Sequence, residues 1–578
     1  MAEVKWTKEQ ESAIYDKGSN ILVAAAAGSG KTAVLVERIL HKIVDEKIDI
    51  DKILVVTFTN AAASEMRQRI LDGIYKKIEE NPEERFLQKQ ITLLNKASIC
   101  TIHSFCLETI KNYFYELDGF SANFRIGDTA EIELLKQDTL EEMLEKKYEE
   151  KEEDLVRLVD TYTNYRGDEP LKEIILKVYD YIQSLPFPEK ALKEAVEKFK
   201  GNHLEEDFSQ TIWGEILLGK LQEILEEGII KLKAVKEQLA WYGDMEKFKV
   251  VIEQDKNMLE KIEKILQEEQ ETKWDSVYEA VNKMSYAKWP IDKKVTTEYK
   301  QEAKKIRDEV KSSVSKVIEQ YFIYSSKEAR EDLAYMYPTL KALEKEVLDF
   351  AESFAQRKRE KNIIDFHDIE HFALQILWKE QEDGSLQRTE VAKKLQEKFE
   401  EIAIDEYQDS NLLQELILTS VSNGHNIFMV GDVKQSIYRF RGAKPELFME
   451  KYNQYGTKGE NIIGEKIQLF KNFRSRKNIL EVTNTIFENI MSQNLGEMDY
   501  TEEEFLNYGA NYPEEGEGKT VGGRAELYVI DTELPENSQE EDSEEDEVQE
   551  IIENTSIEAK FVAKKIKEMV ESHMQVYD

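Results

Sequence analysis

The stretch Ile21-Leu-Val-Ala-Ala-Ala-Ala-Gly-Ser-Gly-Lys-Thr32 decides how this 578-residue chain is read. Ile21-Leu-Val-Ala24 is a short apolar strand, and Thr32 to Ile43 continues as a helix. Between them lies a glycine loop, Ala25 to Thr32, with Ala25 where the strict phosphate-loop pattern usually has its first glycine. Gly28 and Gly30 let the backbone curl around phosphates. Ala27, Ser29 and the two glycines offer backbone N–H groups, Lys31 reaches β and γ oxygens, and the Thr32 hydroxyl can ligate Mg²⁺. A loop of this kind set between strand and helix is an NTP site.

A second stretch, Ile402-Ala-Ile-Asp-Glu-Tyr-Gln-Asp409, ends another apolar run with adjacent carboxylates. Successive strand residues point to opposite faces, yet at a strand terminus both can turn toward the crevice where α/β sheets bind ligands. Asp405 is then the Mg²⁺ ligand and Glu406 the group that activates the attacking water. The bland alternative is a pair of exposed loop acids. The phosphate loop upstream weighs against it.

The first ~125 residues alternate strand and helix, with further strands at Ile53-Leu-Val-Val56 and Ala97 to Thr101. From Asp128 to about Lys361 the texture changes to Glu, Lys and Leu at helical spacing, as in Val251 to Gln267. The α/β pattern resumes with strands at Ile402–Ile404, Ile427-Phe-Met-Val430 and Ile467-Gln-Leu469. A further strand is expected over Arg524 to Ile530. Residues 533–553, rich in acids and without Lys or Arg, read as a disordered loop, and Ile557 to about Glu571 as a helix. The fold class is therefore α/β: a P-loop NTPase parallel sheet over residues 1–125 and 362–472, with a large all-helical domain inserted over 126–361.

Asp405-Glu-Tyr-Gln-Asp409 and Val430-Gly-Asp-Val-Lys-Gln-Ser-Ile-Tyr-Arg-Phe-Arg-Gly-Ala443 resemble the motor of UvrD/Rep-type superfamily 1 DNA helicases. Trp6-Thr-Lys-Glu-Gln10, Thr57-Phe-Thr-Asn-Ala-Ala-Ala63, Thr101-Ile-His-Ser104, Ile364-Asp-Phe-His-Asp-Ile369 and Leu469-Phe-Lys-Asn-Phe-Arg-Ser475 match further motifs in the expected order. The resemblance implies a RecA-like sheet whose cofactors are ATP and Mg²⁺. It implies that Gln10 reads the adenine edge, Gln435 senses the γ-phosphate, Arg474 stabilises charge on the transferring phosphoryl group, and Phe473 lies against the base. It also gives Phe58, Tyr438 and Phe440 to base stacking, Asn60 and His103 to the strand backbone, and Arg441 to a link between the two sites. Stacking on each base contributes roughly 1–3 kcal/mol and tolerates any sequence, as a moving motor requires.

Two departures from the stand-alone helicases, Ala33 after the loop and Phe440 in place of Trp, join the alanine-rich loop and the long insertion in pointing to the helicase–nuclease branch, the AddA-type motor proteins. That branch implies a 3′-to-5′ motor for double-strand break repair by recombination, acting on single-stranded and double-stranded DNA. It implies a heterodimer with an AddB-like partner, and an exonuclease domain in the full-length parent. It further implies that residues 473–578 begin a second RecA-like domain whose remainder, like the nuclease domain, lies beyond residue 578. A fragment of this kind is expected to bind Mg·ATP and single-stranded DNA without unwinding alone. The competing readings are a stand-alone UvrD/Rep-type repair helicase and a non-motor, nucleotide-dependent DNA-binding scaffold.

Composition narrows the classes. Two cysteines, Cys100 and Cys106, are too few for a disulfide framework or an iron–sulfur site. Met1-Ala-Glu-Val-Lys-Trp6 lacks a signal-peptide core and no stretch is long enough to span a bilayer, so a cytoplasmic protein without membrane contact is expected. A formal net charge of −38 argues against a nucleic-acid-coating protein, though not against a motor that holds a strand in a local channel.

Overall fold

The computed structural model describes every residue except 1–4, 164–166, 201–205, 243–244, 269–270, 292–297, 382–383, 457–462, 497, 513–524, 531–543 and 574–578. It divides into two compact units, one of residues 1–127 with 362–578 and the other of residues 128–361.

The first unit is built on six parallel strands: β1 (Asn20–Ala25), β2 (Ile53–Thr57), β3 (Ser98–Thr101), β4 (Glu401–Ile404), β5 (Ile427–Gly431) and β6 (Gly464–Leu469). They lie in the order β6-β1-β5-β4-β2-β3. Ile21 pairs with Phe428, Leu54 with Ile402 and Val55 with Ile99, so the strands of the two halves of this unit interleave. β2 and β5 are buried along their whole length, as continuous apolar strands covered on both faces must be. Parallel pairing has a functional consequence: the C-terminal ends of all six strands share one edge, where ligands bind in such sheets.

Four helices of this unit matter for the site: α1 (Lys8–Tyr15), α2 (Lys31–Val44), α3 (Asn60–Glu80) and α4 (Ile102–Tyr113). The last three follow β1, β2 and β3, so their N-termini gather at the ligand edge. The core beneath α2 joins Val34, Leu35, Ile39 and Ile43 to Ile21, Val23, Phe428 and Val430. Inside it, Arg38 donates to Glu401 at 2.5 Å and to the carbonyls of Ala13 and Asp16 at 2.9 Å, and its guanidinium lies over the Phe428 ring. A buried charge with all these partners is compensated, and it also satisfies carbonyls at the end of α1. The short helix that carries Gln10 is thereby locked to the sheet.

The second unit is helical. Its core packs Leu221, Leu225 and Leu232 of helix Ile212–Leu239 with Phe248 and Ile252 of helix Glu246–Gln267, around Trp274 and Phe322. A buried Arg307–Asp255 pair at 2.6 Å braces it.

Two expectations fail. Residues 525–530 form no strand: Leu527 and Val529 are 89% and 87% exposed, and among the described residues no neighbouring strand supplies the ladder that extended backbone needs. The acidic stretch is helical where it is described, since helix Glu544–Glu571 begins within it. Residues 533–543 lie outside the described residues.

Candidate nucleotide and strand site

The phosphate loop leaves β1 and enters α2 through Gly28 and Gly30, at φ +70° and +88°. These left-handed positions favour glycine. Gly28 is also a contact point: a Cβ there would stand 2.7 Å from Asn472 Nδ2 and 2.9 Å from Arg474 Cβ. Gly30 caps α2 without a side-chain hydrogen bond, and no acid occupies the helix's first turn. The N–H groups of Lys31 and Thr32 are thus presented to an anion. Ser29 is 1% exposed, yet its Oγ has no partner, an orphaned polar atom at the centre of a cradle. Cradle, orphaned hydroxyl and lysine together fit a nucleotide polyphosphate.

The acid pair stands opposite. Asp405 follows β4, with its N–H donating to the Val56 carbonyl at 2.9 Å. Glu406 takes a left-handed conformation, φ +52°, which is costly for a residue with a side chain and turns it into the crevice beside Asp405. Lys31 Nζ meets Glu406 Oε2 at 3.1 Å. Burial, and then the Glu406 charge, pushes the Asp405 carboxyl up to about 6. The same two causes push Asp409 up to about 6. Lys31 offsets part of the charge on all three carboxyl groups. Among the described residues no group of three or more Asp, Glu, His or Cys side chains is arranged to hold a metal ion by itself, so Mg²⁺ here would take most of its ligands from phosphate and water.

Gln435 follows β5, its amide nitrogen 2.8 Å from Asp432 Oδ2. Gln408, to which the sequence motifs assign no role, ties this loop to the acids. Its Nε2 donates to Glu406 Oε2 at 2.9 Å, and its Oε1 accepts the Asp432 N–H at 3.0 Å. Gly431 leaves the room for it, since a Cβ there would lie 2.5 Å from Gln408 Oε1. The signal is present in the Asp405–Asp409 string, but only the fold shows that one amide spans two motifs.

Beyond β6 the chain bends over the phosphate loop. Phe473 N–H donates to the Gly28 carbonyl at 2.8 Å. Asn472, 2% exposed, donates to the Ala27 carbonyl at 2.7 Å and accepts the N–H groups of Arg474 and Ser475. Sequence gives Asn472 no role either, although it stands beside two residues that have one. Gln10 is placed beneath the same loop. Its Oε1 accepts the Thr7 N–H at 2.9 Å and its Nε2 donates to the Ser29 carbonyl at 3.0 Å, so the amide read as an adenine contact is engaged with protein at both ends.

The aromatic residues gather farther along the edge. Phe58, just after β2, stacks on Tyr438 with centroids 4.7 Å apart, and Tyr438 lies 6.0 Å from Phe440. Phe58 is 40% exposed and Phe440 78%, which is expensive unless something covers them. Asn60 opens α3 in an exposed position. His103, in the first turn of α4, lies 3.5 Å from Glu370 and edge-on to Phe366. Neither α3 nor α4 has an acid in its first turn, so both keep an electropositive end toward this edge despite the acidic chain. The side chain of Arg441 lies outside the described residues. Among the described residues no helix is long and apolar enough to cross a membrane.

Comparison with known proteins agrees with this geometry. The family model of the UvrD/REP helicase N-terminal domain matches residues 6–456, which take in Gln10, the phosphate loop, the acid pair, Gln435 and the aromatic ladder. A protein of Ruminiclostridium cellulolyticum, named as an ATP-dependent helicase/nuclease subunit, is 43% identical over 99% of this chain and 47% of its own length. Like-named proteins of Acetivibrio thermocellus and Clostridioides difficile are 43% and 42% identical, over 98% and 100% of this chain and 46% and 47% of theirs. The chain spans about half the length of these curated relatives. It belongs to the UvrD/REP helicase family and is similar to the helicase/nuclease proteins of the AddA type within it.

Proposed function

We propose that this chain carries the ATP-binding half of a 3′-to-5′ DNA helicase motor, part of a helicase–nuclease that processes double-strand breaks for recombination. The observation that supports the reading is the shared sheet edge. Five of the six parallel strands, β1, β2, β4, β5 and β6, lead into the phosphate loop, the acid pair, Gln435, Arg474 and the Phe58–Tyr438–Phe440 ladder at one rim.

In this reading Gly28, Ser29, Gly30, Lys31 and Thr32 hold the phosphates, and Thr32 with Asp405 would hold Mg²⁺. The ion, when bound, neutralises phosphate charge. Glu406 takes the proton of the attacking water, while Gln435 and Arg474 hold the γ-phosphate from the β5 and β6 sides. Phe58, Tyr438 and Phe440 offer faces to successive bases, and Asn60 and His103 contact the strand backbone. Residues 473–578 open a second RecA-like domain, and an AddB-like protein is the expected partner of the whole molecule. The 578-residue chain alone binds Mg·ATP and single-stranded DNA without unwinding.

Phosphate release and strand displacement by the full-length protein test the function. DNA-stimulated turnover with displacement of a strand from a duplex carrying a 3′ tail supports it. Turnover that leaves such duplexes intact points to a nucleotide-dependent scaffold.

A further inference from the structure

Lys434 directly precedes the γ-phosphate sensor Gln435 in the loop after β5, and none of the roles above uses it. Its ammonium group is largely buried, 3.0 Å from Asp432 Oδ1 and 2.9 Å from Glu504 Oε2. Asp432 is the residue that holds the Gln435 amide. Glu504 in turn accepts the Tyr452 hydroxyl at 3.0 Å, and the Tyr452 oxygen accepts Gln468 Nε2 at 2.5 Å. Gln468 belongs to β6, the strand that leads to Arg474.

Glu504 sits in a segment, residues 498–509, that reaches both sides of the phosphate loop. Tyr500 and Leu506 anchor it to Asn484, on the helix Lys477–Ile490 that follows Arg474. Farther on, Asn507 and Tyr508 pair with Lys471 and Asn472, and the Gly509 N–H donates to the Asn472 carbonyl. One end of the segment therefore grips the loop of Gln435 through Lys434. The other grips the strand that positions Arg474. Buried ion pairs seldom add net stability over apolar packing and are better explained by the geometry they impose.

We propose that Glu504, acting through Lys434, is a positioning residue that couples the Gln435 loop to the Arg474 loop, so that nucleotide bound at one changes the strand affinity of the aromatic ladder. The proposal rests on the reading of the site as an ATP and single-strand site. It assigns Glu504 and Lys434 no contact with either ligand.

The test uses the 578-residue chain and a fluorescent oligothymidine, with anisotropy titrations in the presence and absence of Mg²⁺ and a non-hydrolysable ATP analogue. Wild type is expected to change its DNA affinity on nucleotide binding by about five-fold or more, the size of an ordinary coupling. E504Q and K434M should bring that ratio close to one while keeping affinity for the analogue, and K434R should preserve the coupling. Y452F, the mildest change, should weaken the coupling in part and carries the test where the charge variants fail to fold. Folded variants with wild-type coupling would overturn the proposal. A wild-type chain that binds both ligands independently would overturn the proposal while leaving the functional reading in place, and one that binds neither would overturn the functional reading as well.

Discussion

Lys31 Nζ and Glu406 Oε2 stand 3.1 Å apart, so the cation of the phosphate loop and the carboxylate assigned to water activation share one contact. Phosphate oxygens compete with Glu406 for that ammonium, and a carboxylate released from it is the better base. Glu406→Gln should therefore separate binding from turnover. Affinity for Mg·ATP is expected to stay within about three-fold or to tighten, while phosphate release by the full-length protein falls about 10²-fold or more. Nucleotide titration and a phosphate-release assay on the same variant check both halves.

Asp405 supplies a pH signature. Its carboxyl lies up to about 6 because burial and Glu406 penalise the ionised form. The folded chain then holds a proton through the window from about 4 to 6 where the unfolded chain has lost it, so stability falls as pH rises through that window and stays lower above it. Asp405→Asn removes the penalty. It should raise stability at pH 7.5 by roughly 1–2 kcal/mol, and the gain should vanish near pH 4. Thermal melts across this range would show a gain independent of pH if the cause were instead packing.

Phe58 and Tyr438 stack on each other, with Phe440 forming the more exposed end of the ladder. Replacing either by Ala should cost single-stranded DNA affinity about 1–3 kcal/mol, equally for oligothymidine and mixed sequence, with little change in Mg·ATP affinity. A loss confined to one base composition would mean hydrogen-bonded readout rather than stacking.

Gly28→Ala meets two obstacles at once, a left-handed backbone and the side chains of Asn472 and Arg474. Loss of roughly 1–3 kcal/mol of stability is expected, together with loss of nucleotide binding, because the clash opens the loop away from the β6 side. A differential melt and a nucleotide titration suffice. Full nucleotide affinity in a stable variant would show that the loop tolerates that displacement.

The apolar runs ending at the phosphate loop and at Asp405 were legible as strands because each burial pattern is local. Strand order was not. β1 pairs with β5 and β6, more than 400 residues away, and nothing in the sequence of Ile21–Ala24 names those partners. The run at 525–530 shows the converse, since apolar residues without a ladder partner among the described residues stay irregular. Gln10, Gln408 and Asn472 mark a second limit. Their side-chain amides bond across motifs, so a residue's chemistry is visible in sequence while the atom it serves is not.

The claim on which the rest depends is that this sheet edge is a Mg·ATP site. Titrating a fluorescent ATP analogue into the 578-residue chain, with and without Mg²⁺, tests it most directly. Wild type should show saturable, Mg²⁺-dependent binding at one site, and Lys31→Ala should weaken it by about 30-fold or more while remaining folded. Equal affinity in the two proteins, or no saturable binding by folded wild type, would contradict it.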